Sequence, residues 1–171
     1  MKLAGIVIAG LIAATPLSAR APLEFIAEPA AASVLDDGLR GAGFAMRGLT
    51  IEIEEAALLG QRDLPMSALE RLRARGWGVA LRSAPDCPLP IGGRTRSVFT
   101  DILAEAPQDV TPFLALEGLD DAPMARRVRA AANAGLNVTA TGMQTMAFSG
   151  LLIAAGFDRG EGQAFKLREF A

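Results

Sequence analysis

The sequence has no histidine and no tyrosine, and only one cysteine. Without histidine, Ser-His and Cys-His catalysis within one chain is excluded, and so are His-ligated metal sites. The one cysteine, Cys87, excludes an internal disulfide and a Cys-based zinc cage, and reads as a loop thiol with no role. A surplus of one charge is also missing. The 17 Lys and Arg against 19 Asp and Glu leave a formal net charge of −2, which gives no electrostatic footprint for nucleic acid. What is abundant is apolar: hydrophobic residues are 51% of the 171, enough for a single domain with a real core and too many for disorder. No internal repeat, low-complexity tract or second domain stands out.

The N-terminus carries two readings. Lys2 precedes an apolar run from Leu3 to Ala14, Pro16 breaks it, and Ala19-Arg20-Ala21 places small residues two apart. That is the layout of a secretory signal, and the run is shorter than the ~20 residues a membrane span needs. Pro22 directly after the A-x-A site is a poor neighbour, so cleavage after Ala19 or no cleavage is the other outcome. The favoured division is a signal peptide or apolar anchor over residues 1–21 and a domain over 22–171, with an exported or membrane-anchored product. The alternative makes Gly5 to Ala14 a buried strand or core helix of a cytoplasmic protein.

From Pro22 onward, short apolar runs alternate with amphipathic stretches. Leu23 to Glu28 reads as a strand and, as the first of the sheet, as its exposed edge. Ala31 to Gly41 reads as a short helix ending near Gly41 or Gly43. In Leu49 to Glu55, Leu49, Ile51 and Ile53 point one way and Thr50, Glu52 and Glu54 the other, which is strand periodicity. Met66 to Arg75 is a helix closed by Gly76, and Trp77 to Leu81 a strand. Ser83 to Arg94, rich in proline and glycine, is loop. Ser97 to Ala106, with Val98, Ile102 and Ala106 at helical spacing, predicts a helix, and Val110 to Leu116 a strand. Pro123 to Ala134 is a helix with Arg126, Arg127 and Arg129 on its wet face. Asn137 to Thr141 is a strand, Thr145 to Ala155 a helix, and Phe157 to Phe165 a last short strand or turn. Alternation of this kind builds an α/β fold, a mostly parallel sheet of about six strands with helices packed outside it. A closed eight-stranded barrel takes about 250 residues, so the pattern describes an incomplete TIM-like barrel.

The order of segments resembles EAL domains, the bacterial fold that hydrolyses cyclic di-GMP. LTIEIEE (Leu49 to Glu55) is similar to the family's L-x-L-E-I-T-E strand, and LRARGWGVAL (Leu72 to Leu81) to the L-x-x-x-G-x-x-I-A-L that leads into D-D-F-G. APQDV (Ala106 to Val110) resembles the L-P-x-D-x before the catalytic lysine strand. AGLNVTATGMQT (Ala134 to Thr145) resembles L-G-L-x-V-I-A-E-G-V-E-T, and AAGFDRGEGQAF (Ala154 to Phe165) resembles G-C-D-x-x-Q-G-Y-x-F. The resemblance runs from about residue 45 to 165.

What the resemblance implies about chemistry is a loss. The family uses two metal ions, Mg or Mn, held by acidic ligands at the C-terminal rim of the barrel, and a lysine that orients the attacking water. Carried over singly, the E-x-x-E pair falls on Glu52 and Glu55, which read as vestigial metal-site positions. The paired aspartates of D-D-F-G fall on Arg82 and Ser83. The lysine falls on Pro112, or on Phe99 if the strand starts earlier. The glutamates of A-E-G and G-V-E fall on Thr141 and Gln144, and the glutamine of Q-G on Glu161. The E-A-L motif has no counterpart, and PLSAR at Pro16 to Arg20 puts proline where a metal-binding asparagine would stand. The implied protein is a degenerate, truncated EAL domain: no enzyme, no catalytic residue, no bound metal or other cofactor. Its function would be protein interaction or regulation related to cyclic di-GMP signalling, through a protein partner or self-association. The alternatives are a receptor that binds cyclic di-GMP without cleaving it, with Arg82, Arg94 and Arg96 as candidate contacts, and a weak phosphodiesterase. A pair between Arg82 and Glu52 would replace the metal.

Overall fold

The computed structural model describes residues 7–9, 18–41, 49–59, 66–83, 97–106 and 123–164. Among these residues, seven strands join one sheet in chain order: β1 (Val7–Ala9), β2 (Ser18–Arg20), β3 (Thr50–Glu54), β4 (Gly78–Ser83), β5 (Asp101–Glu105), β6 (Asn137–Thr141) and β7 (Arg159–Gly160). β1 runs antiparallel to β2, and every pairing from β2 to β7 is parallel. The described helices are α1 (Leu23–Ala27), α2 (Ala31–Gly41), α3 (Glu55–Leu59), α4 (Met66–Ala74), α5 (Pro123–Asn133) and α6 (Ser149–Ala155). The six parallel strands and the helices between them are the expected α/β, TIM-like architecture, and β1 and β7 do not pair to close it.

Register gives the sheet two faces of opposite character. Side chains alternate along each strand. Ile51, Ile53, Val79, Leu81, Ile102, Ala104, Val138 and Ala140 share one face, all buried. Helices supply the other side of that core: α4 packs on β4 and α5 on β6, with Leu69, Leu72, Val128 and Ala131 buried. The opposite face carries Glu52, Glu54, Arg82, Leu103, Glu105, Thr139 and Thr141. Strands of a parallel sheet are commonly apolar on both faces, so a polar second face marks the side on which chemistry can be placed.

Two readings are corrected here. Leu23 to Glu28 is not a strand or an edge but helix α1 with its cap. Leu23 and Ile26, three apart, are the residues it buries, and an apolar run this short does not declare its period. The strand of this region is β2, and β1 lies outside it at the end of the sheet. Ser97 to Ala106 is not one helix: residues 97–98 are helical and Asp101–Glu105 is strand β5. The helical spacing is misleading because Val98 and Ala106 flank a strand with buried residues on both faces, Ile102 and Ala104 on one and Leu103 on the other. The strand expected at 110–116 and the loop expected at 84–94 lie outside the described residues.

Other elements agree to within a few residues. α2, α4, α5 and β6 fall where periodicity placed them, and Thr145 to Phe148 precede α6 rather than join it. The Trp77 indole, fully buried just before β4, donates to Asp36 Oδ1 of α2 at 2.8 Å, and Arg75 Nη1 reaches Asp36 Oδ2 at 2.8 Å. Among the described residues, no helix is long and apolar enough to cross a membrane.

Candidate functional site

In a sheet of parallel strands the loops after each strand gather at one rim, and reactive groups belong there. At this rim stand Arg20 at the end of β2, Glu54 and Glu55 at the end of β3, Ser83 after Arg82 on β4, Glu105 on β5, Thr141 on β6 and Glu161 after β7. Their geometry divides the E-x-x-E pair into two environments.

Glu52 lies on the polar face, 8% exposed, directly beside Arg20 in the register. Its Oε2 accepts from Arg82 Nη2 at 2.7 Å and from Arg20 Nε at 3.2 Å. Arg82 Nε also lies 3.6 Å from Glu54 Oε1, the neighbour two residues along β3. Burial pushes the Glu52 carboxyl up. Hydrogen bonds from Ser18, Arg82 and Arg20 and the positive charge of Arg82 outweigh it, and the carboxyl sits below its ordinary range.

Glu55 opens α3 and is fully buried. Ser83 Oγ donates to its Oε2 at 3.1 Å, and Arg127 from α5 donates to its Oε1. By strand parity Ser83 belongs with Val79 and Leu81, so this cluster is tied to the helix-covered side of the sheet. Arg127 was expected on the wet face of its helix; instead only 17% of its side chain is exposed, and it turns inward because Glu55 needs a counter-charge. Arg126 keeps the solvated position.

The remaining expected positions are scattered. Thr141 is buried and its hydroxyl donates to the Ala104 carbonyl at 3.4 Å. Gln144 is exposed, bonding only weakly back to Gly142 O at 3.4 Å. Glu161 is half-buried and anchored by its backbone: its N–H donates to Ala140 O at 2.8 Å, and its carbonyl accepts from Met143 N at 3.0 Å. Burial raises the Glu161 carboxyl above its ordinary value, the negative charge of Glu52 adds to the rise, and Arg82 and Arg20 oppose it. Phe99 is core, while Pro112, Arg94, Arg96 and Cys87 lie outside the described residues. The structure thus joins Glu52 to Arg82 and Glu55 to Ser83, and adds Arg20 and Arg127. Arg20 was hidden inside the A-x-A pattern, and Arg127 among three basic residues of one helix; neither position carries a sequence signal of its own.

A pair of divalent cations does not fit this donor set. Among the described residues no group of three or more His, Cys, Asp or Glu stands together as a metal site. The two acidic side chains that the resemblance offers are each already bonded to guanidinium groups.

No protein-family model matches the sequence, and the curated proteins hold no match either. Solved structures do match. PaMucR, described as a phosphodiesterase in complex with c-di-GMP, is 17% identical with a TM-score of 0.64, over 86% of this chain and 59% of that one. BlrP1 of Klebsiella pneumoniae, in a manganese and cyclic di-GMP complex, is 22% identical with a TM-score of 0.66, over 86% of this chain and 38% of that one. Bd1971, described as an EAL enzyme bound to cAMP and cyclic di-GMP, is 15% identical with a TM-score of 0.65, over 86% of this chain and 39% of that one. This chain therefore spans between 38% and 59% of these three. The expectation that the chain is no enzyme is corrected by them, since proteins described as an enzyme and a phosphodiesterase carry this fold. Strand order, the open parallel sheet and these matches lead to one conclusion: the chain has an EAL-like fold, part of a TIM-type barrel.

Proposed function

We propose that this chain serves in cyclic di-GMP signalling, taking the dinucleotide at the C-terminal rim of its sheet. The observation that supports the reading most is the fold match to proteins solved with cyclic di-GMP bound. The rim adds the right chemistry for a phosphodiester. Arg20 keeps 57% of its side chain exposed while one nitrogen holds Glu52. A guanidinium has five N–H donors in a fork that suits phosphate oxygens, so those not spent on Glu52 remain available to an anion.

Calorimetry of the full chain with cyclic di-GMP tests the proposal. Saturable heat is expected, weakened in R20M; absence of binding to the full chain overturns it. Phosphodiester hydrolysis is followed in the same sample by chromatography of the linear dinucleotide.

A second reading, contact with a protein partner or with another copy of the chain, draws on α6. Ile153 is 69% exposed and Met146, just before the helix, 46%. Light scattering of I153E against the unaltered chain tests it. A concentration-dependent mass that the substitution lowers is expected, and a constant monomer mass for the unaltered chain overturns self-association.

A further inference from the structure

The misfit between the rim carboxylates and a metal pair has a positive content. Glu52 and Glu55 present two negative charges, and three guanidinium groups face them: Arg82 and Arg20 on Glu52, Arg127 on Glu55. Arg82 and Arg20 converge on the same oxygen, Oε2, at 2.7 and 3.2 Å. A divalent ion bonded to that oxygen would stand within contact distance of two fixed positive charges, and Coulomb repulsion is strongest at such short range. Glu55 has no better opening, being fully buried with Arg127 on one oxygen and Ser83 on the other. The arginines come from three separate elements, β2, β4 and α5, so the arrangement is built by the fold and is not a local accident of one segment.

We infer that Arg82 and Arg20 act as the built-in counter-cations of Glu52, and Arg127 of Glu55, in the positions a divalent cation would otherwise take. The rim supplies its own positive charge, and these carboxylates do not take up a metal ion. The inference rests on side-chain geometry alone and stands apart from whether cyclic di-GMP binds.

Manganese titration of the full chain without dinucleotide, read by the electron paramagnetic resonance signal of the free ion, tests it. The comparison is between the unaltered chain and E52Q. Equal free-ion signals are expected through the millimolar range. A greater uptake by the unaltered chain, lost in E52Q, overturns the inference. A second variant, R20M/R82M, frees Glu52 from both guanidinium groups and is expected to bind manganese at least tenfold more tightly than the unaltered chain once circular dichroism shows that it folds. The first comparison decides the matter if it does not fold.

Discussion

At the scale of single residues, Glu52 and Glu161 are two carboxyl groups shifted in opposite directions within one charge cluster. The Glu52 carboxyl binds its proton less tightly folded than unfolded. Its contribution to stability is therefore complete above the ordinary value of 4.5 and is lost as pH falls through the lowered one. R82M removes the shorter of its two guanidinium bonds and leaves a largely buried carboxylate with Arg20 and Ser18. We expect a loss of about 1–3 kcal/mol at neutral pH. Urea unfolding of R82M, E52Q and the double variant checks it, and the double should lose less than the two singles together. The gap between R82M and the unaltered chain should narrow in acid. Glu161 works with the other sign: its folded carboxyl holds the proton more tightly, so its contribution is present below 4.5 and is lost as pH rises through the raised value. E161Q should raise the melting temperature at pH 7, and the advantage should fade toward acid; scanning calorimetry at both ends reads the difference. The resemblance puts a glutamine at this position, so its carboxylate was legible as a departure. That the charge of Glu52 would add to its cost was not, because β3 and β7 are not neighbours in the sheet and no spacing in the chain records the approach.

Elements show the same division between what a chain pattern carries and what packing decides. Thr50–Glu54 alternates in sequence and in facing, with Ile51 and Ile53 on the side of the core and Thr50, Glu52 and Glu54 on the other. Ala31–Gly41 is helical as periodicity suggested. The two misread segments are those in which burial on both sides erases the alternation, β5, or in which five residues are too few to set a period, α1. The close approach of the chain after β7 to the turn after β6 depends on Gly162. Its φ of +142° is a conformation that L side chains rarely adopt, and a Cβ there would run into the backbone of Met143, whose N–H donates to Glu161 O. G162A is expected to cost about 3 kcal/mol, through strain and overpacking, and to speed hydrogen exchange at the Met143 and Glu161 amides. At the opposite end, D36N removes the carboxylate that ties α2 to Arg75 and keeps one acceptor for Trp77; a loss of about 1–2 kcal/mol is expected by urea unfolding.

For the whole molecule, an incomplete barrel was legible from length and element count, and the sheet is open among the described residues. The first 21 residues were harder to place, because an apolar run followed by small residues suits both an export signal and a strand. β1 and β2 both fall within them, Ala19 and Ala21 are buried, and Ser18 and Arg20 bond Glu52. A chain beginning at Pro22 loses these strands and contacts, so its melting temperature should fall by several degrees or more. The mass of the native protein, intact or shortened by residues 1–19 or 1–21, decides between the cytoplasmic and exported readings. The order of the sheet carries one more consequence. Among the described residues, each strand from β2 to β6 lies beside the strands that come immediately before and after it in the chain. Such a sheet can grow from one edge as the chain leaves the ribosome, each unit docking on a neighbour already made, without waiting for a distant segment to complete a pairing.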